Sequence, residues 1–203
     1  MKNNITTLIL FLILLANSLN AQIISLDQFY YFQTHKHQEN LSLPDNLTEI
    51  RDLNNILQPY VGVWRGSISN QRTLEIHTSV ATVTTFDNVL IDRLLSRYKI
   101  TDANNNVLYE TLSITDNDHI NVIWSRFADP IGDMISFYAE PGVCGRVNDL
   151  HYKIIPAVEG ISPAKLEVIS SRTSGAFPRE SAPCNGSYAA APIPMSQLIV
   201  LTK

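Results

Sequence analysis

The chain is predicted to be a mainly β protein: one antiparallel β-barrel with a short N-terminal helix. Three observations predict this. Beyond residue 60, apolar residues recur with a period of two in many short runs. Gly, Pro, Asn and Asp separate those runs. No helix of crossover length separates them, which argues against a parallel α/β sheet.

Residues 1–21 carry the three-part layout of a secretory signal. Lys2 gives a weak positive start, Leu8 to Ala16 are unbroken apolar residues, and small Ala21 follows a polar exit. The run is shorter than the roughly 20 apolar residues that cross a bilayer. Cleavage after Ala21 would yield an exported protein, periplasmic or extracellular, with no membrane span remaining. There is no Cys at the cleavage site to take a lipid.

Residues 22–46 read as an extended leader. Phe29, Tyr30, Tyr31 and Phe32 are too apolar to stay in water as a block, so part of it packs on the domain. The helix is placed at residues 45–57. Asp45 or Asn46 starts it, Leu47, Ile50, Leu53, Ile56 and Leu57 recur at three- and four-residue steps, and Pro59 ends it.

The barrel domain is drawn over residues 47–203. Leu74 and Ile76 alternate with Thr73 and Glu75, and a β-branched run covers 80–86. Residues 90–100 are ambiguous, because Leu90, Leu94 and Leu95 also fit a helical turn. Asn104, Asn105 and Asn106 mark a tight turn, since Asn tolerates positive φ. Strands are then expected at 107–114, 120–125, 134–138, 150–155, 166–170 and 197–202. A Ser-, Ala-, Pro- and Gly-rich loop occupies 171–194.

Composition narrows the function classes. A net charge of −4 with scattered basic residues gives no footprint for nucleic acid. No basic amphipathic helix suits a membrane surface. The two cysteines, Cys144 and Cys184, sit in turn-rich text, and an exported chain most simply pairs them in one disulfide. Closing a loop of that length stabilises a fold by about 4 kcal/mol in the chain-entropy model. Two unpaired loop thiols are the alternative.

Residues 52–64 carry a family resemblance. Asp52-Leu53-Asn54-Asn55-Ile56-Leu57 followed by Gly62-Val63-Trp64 resembles a family of small secreted proteins of flavobacterial-type Gram-negative bacteria, whose function is uncharacterised. The segments 90–98, Tyr98-Lys99, 107–112 and 194–203 also resemble family segments; the regions around Cys144 and Cys184 do not. Gly62 and Trp64 further resemble the first strand of lipocalin-type (calycin) barrels. There the Trp closes the barrel base beneath a cationic side chain from near the end of the fold. The resemblance implies a structural role for Gly62 and Trp64, with Arg65, Arg72 or Lys203 as the cation. A second lipocalin signature of the Thr-Asp-Tyr type is absent from the sequence.

Chemical constellations are sparse. His35, His37 and Glu39 would share one face of an extended segment and so form a loose ligand set. His77, His119 and His151 lie on separate strands with no nucleophile marked beside them. Asp116 and Asp118, and Asp129 and Asp133, read as turn residues. Asn40, Asn46 and Asn185 match the glycosylation pattern only by chance in a bacterial chain. Arg72, Arg93, Arg97 and Arg126 are solvated, or one or two meet a ligand carboxylate inside a barrel. No catalytic or cofactor motif is present, so no cofactor, metal or catalytic residue is assigned.

The resulting expectation is a secreted, non-enzymatic protein holding a small apolar or amphipathic ligand in the barrel. The alternative is an extracellular interaction or inhibitor protein acting through its loops. Interior composition separates the two: inward Trp124, Phe137 and Tyr152 would fill the barrel, whereas inward Ser, Thr and Ala would leave room.

Overall fold

Antiparallel pairing organises most of the chain. A computed structural model describes residues 22–85, 87–116, 122–128, 133–139, 147–172 and 193–203. Residues 1–21, Cys144 and Cys184, and with them the expected signal and disulfide, lie outside the described residues. So do His119, Asp118, Asp129, Asn185 and most of the 171–194 loop.

The chain divides into two compact units, Met1–Asn54 with Thr84–Ile91, and Asn55–Val83 with Asp92–Lys203. In the first, strand β1 (Gln22–Ser25) leads directly into helix α1 (Leu26–Glu39), and strand β2 (Leu47–Arg51) returns parallel to β1. The extended leader expected at 22–46 is therefore largely helical. Ser25 and Gln28 explain why. Gln28 N donates to Ser25 Oγ at 3.4 Å while Ser25 N donates to Gln28 Oε1 at 3.1 Å, a reciprocal cap that satisfies two donors of the first turn. Asn40 ends α1 in the left-handed region at φ 51°. Leu26 and Tyr30 are buried, whereas Tyr31 is exposed.

The helix expected at 45–57 is not there. Leu47–Arg51 is a strand whose Ile50 is buried, and Leu53 is exposed. The three- and four-residue spacing was coincidental, because β2 finds backbone partners on both sides. Glu49 and Ile50 pair in parallel with Leu90 and Ile91, so the first unit contains the small parallel element that the sequence argued against.

The second unit holds a closed eight-stranded antiparallel barrel, as the sequence predicted. Its strands are β3 (Gly62–Ile68), β4 (Arg72–Thr84), β5 (Leu90–Thr101), β7 (Ile123–Ala128), β8 (Asp133–Ala139), β9 (Val147–Ile155), β10 (Lys165–Arg172) and β11 (Leu198–Thr202). The order around the ring is β5-β4-β3-β11-β10-β9-β8-β7, and β7 pairs back with β5. Short strand β6 (Val107–Glu110) also pairs with β5. The Asn-rich turn forms as expected. Asp102 Oδ1 accepts from both Asn104 N and Asn106 N at 2.8 Å, and Asn105 has φ 64°.

The ambiguous residues 90–100 are strand throughout. Leu94 and Leu95 are both fully buried although they face opposite ways, which hid the period of two. Leu95 is paired with Trp124, over whose ring the Arg93 guanidinium lies 4.0 Å from the centroid. Residues 73–76 and 80–84 of the two expected runs belong to one strand, β4, rather than two.

Gly66 allows β3 and β11 to approach. A Cβ there would collide with the Val200 carbonyl oxygen and lie 2.8 Å from Leu201 Cδ2. Gly66→Ala is expected to cost about 1–3 kcal/mol by forcing the two strands apart. Chemical denaturation measures it, and a variant as stable as the parent would show that the strands yield freely.

Candidate functional site

Inward positions follow from the register and burial of the strands. One end of the barrel is closed by Trp64, which is fully buried and donates its indole N–H to the Tyr60 carbonyl oxygen at 2.8 Å. Tyr60 ends a short turn, Gln58–Tyr60, and its carbonyl also accepts from the Thr78 hydroxyl. Lys203 Nζ sits 4.6 Å from the Trp64 ring centroid. Of the three cations the resemblance implied, Lys203 takes the position. Arg65 is bound to Glu75, and Arg72 folds back on Ser69. Gly62 is required beside them: its φ is 140°, and a Cβ would lie 3.0 Å from Lys203 Cε.

Above this end the interior is apolar. Leu166 pairs with Leu201 and Ile154, and Val168 with Ile199 and Tyr152. Leu74, Ile76 and Tyr98 are likewise buried. Farther along the same strands the lining changes. Ser125, Ser136, Leu150 and Ser170 are successive cross-strand partners on β7, β8, β9 and β10, so they form one row on the inner wall. Ser170 lies four residues beyond Leu166, about 13 Å along the strand. Ser96 joins from β5, paired with Ile123.

Only part of this row is satisfied. Ser125 Oγ accepts from Leu94 N at 3.0 Å. Ser136 Oγ and Ser170 Oγ are buried without a hydrogen-bond partner among the described residues. Tyr152, from the next row, is fully buried and reaches across toward Ser96, without either oxygen completing a hydrogen bond of ordinary geometry. Burial pushes the Tyr152 phenol far up, only partly offset by Ser96. It therefore remains a neutral donor. Asn148, 1% exposed, follows Leu150 by one inward position.

The side chains that separate the two readings divide between the inner and outer walls. Trp124 does not fill the barrel, because its partner Leu95 and the Arg93 guanidinium place it on the outer side. Phe137 is its backbone partner on β8. Tyr152 does point inward, but beside serines rather than beside other aromatics.

The remaining candidates do not converge. In α1, His35 and His37 are roughly 200° apart around the axis, so they do not share the face an extended segment would have given them. His35 stacks on Tyr31 instead, and Glu39 accepts from the Tyr31 hydroxyl. Among the described residues no three His, Cys, Asp or Glu gather to hold a metal ion. His151 meets Ser171. Arg97 binds the Ile114 carbonyl and Asp116, tying down the turn after β6. Arg126 occupies the extra position of a bulge in β7, and Asp133 opens β8.

On the outer wall, Glu75 is 7% exposed and gathers Arg65 Nε at 2.5 Å, His77 Nε2 at 2.5 Å and Lys99 Nζ at 3.9 Å. Burial alone would raise its pKa; the His77 and Arg65 hydrogen bonds and the Lys99 charge outweigh it and hold the carboxyl below its usual value.

No family model, no curated protein and no solved structure matches this chain.

Trp64→Ala is expected to lower stability by about 3–5 kcal/mol in denaturant unfolding. Lys203→Ala is expected to lower it by about 0.5–2 kcal/mol, through loss of the cation over the ring. An unchanged midpoint for Trp64→Ala would remove its role as the plug. The depressed Glu75 carboxyl contributes stability above its unfolded pKa of about 4.3, and the contribution is lost as pH falls through the lower folded value. Glu75→Gln should therefore be weaker by about 1 kcal/mol near neutrality. That deficit should fade in acid. A deficit that persists at the acid end would point to shape rather than charge.

Proposed function

We propose that the chain is an exported, non-enzymatic binding protein that encloses a small apolar or amphipathic molecule in a lipocalin-like barrel. The observation that carries this reading is the row of inner-wall hydroxyls. Leaving a buried hydroxyl unpaired costs about 1–3 kcal/mol. A fold that places Ser136, Ser170 and Tyr152 together in that state sacrifices stability where alanine and phenylalanine would serve the core better. A bound molecule with polar atoms would recover that loss.

The two halves of the interior suit such a molecule. An apolar tail would pack along Val168, Ile199 and Met134, while polar atoms would meet the serines. Tyr152 is the side chain that fills this level, so its movement would admit the ligand. The Trp64 end, sealed by Lys203 and Tyr60, supplies a floor. The resemblance to small secreted flavobacterial-type proteins and the signal-like residues 1–21 fit export, and belong to the same proposal.

Native mass spectrometry of the protein, taken from its exported location, tests this. A mass excess that disappears on denaturation is expected. A bare mass in both states would turn the reading toward an interaction protein acting through its loops.

A further inference from the structure

We infer that the inner-wall hydroxyls of Ser96, Ser136, Ser170 and Tyr152 take the neutral head of an amphipathic lipid, one with more than one hydrogen-bonding atom, and not a carboxylate. This rests on the binding reading above and specifies its ligand class.

Charge is the first argument. The four groups are hydroxyls, and Tyr152 is held neutral by burial. Among inward positions whose side chains are described, Lys203 is seated on Trp64 at the apolar end, and Arg72, on the face of β4 that carries Leu74 and Ile76, is folded back on the Ser69 carbonyl and hydroxyl. Arg93 is engaged on the outer side with Trp124, and Arg97 with Ile114 and Asp116. A carboxylate at the serine row would lose its hydration while each of these cations is held on other partners, a cost that hydroxyl donors alone do not offset. Spacing is the second argument. Ser136 and Ser170 are both partners of Leu150, so they stand two strands apart, about 10 Å along the wall. One ligand oxygen does not serve both. A head with several polar atoms, such as a glycerol, does, since each serine both donates and accepts. The third argument is the row's neighbour. Val168, Ile199 and Met134 lie one inward step toward the Trp64 end, and all are buried and apolar. An acyl chain attached to the head therefore has a surface to cover.

Calorimetric titration of the full mature chain with 1-monolauroylglycerol, and separately with laurate at about pH 8 where its carboxyl is ionised, tests the inference. The monoacylglycerol is expected to bind about tenfold more tightly or better. The Ser136→Ala, Ser170→Ala double variant is expected to erase that preference while keeping or raising the melting temperature, because it removes unpaired hydroxyls. Either single variant should show about half the effect on a logarithmic scale. Equal binding of the two probes, or tighter binding of laurate, overturns the neutral head and leaves the binding reading standing. A preference that survives in the double variant overturns the serine row as its seat. Failure of both probes to bind, together with a bare native mass, overturns the binding reading and this inference together.

Discussion

Two backbone pairs, Leu95 with Trp124 and Ser96 with Ile123, turn the sheet into a ring. Without them β7 would be an open edge, and so would the stretch of β5 between its pairings with β2 and β6, presenting unpaired donors and acceptors to any passing strand. Closure also makes an inside. Once the ring is shut, the alternation of side chains along each strand becomes a division between a dry interior and a solvated wall. Arg65, Glu75 and Lys99 remain outside as a charged group, while Trp64, Ile76 and Tyr98 are shut in.

Within that enclosure the residues are unevenly chosen. The end near Trp64 obeys every rule of a good core, with its one indole donor bonded and its ring covered by a cation. The serine row does not. The contrast between a satisfied floor and an unsatisfied wall, only a few residues apart on the same strands, is what singles out the upper interior. Core and candidate site share one scaffold, and the candidate site is where core chemistry has been abandoned.

The sequence revealed the barrel and its base, because those depend on local signals. Alternation at 73–76 in β4, the Asn104 to Asn106 turn, and Gly62 before Trp64 were all visible in short windows. The cation on Trp64 narrowed to three residues and needed the fold to choose Lys203. The helix was misplaced although its cap was written out: Ser25-Leu26-Asp27-Gln28 is a capping box, and the continuous aromatic block that follows it hides the helical period. Residues 47–57 misled in the other direction, because apolar spacing does not reveal that a short strand has a parallel partner on each side. The serine row was invisible in sequence. Ser96, Ser125, Ser136 and Ser170 sit on four strands with nothing local to link them, and only register brings them together.

The ring has a seam in the chain's own order. Strand β11 lies between β3 and β10, so its residues 198–202 must find residues near 65 after well over a hundred intervening residues have been laid down. Loop closure over such a span is slow compared with forming the hairpins β8-β9 and β9-β10. The wall is therefore expected to stay open on one side until late in folding. If the interior takes a ligand as proposed, that molecule need not pass through a finished mouth; it could be wrapped as β11 docks. Loading and maturation would then be a single event, and release would require the seam to part.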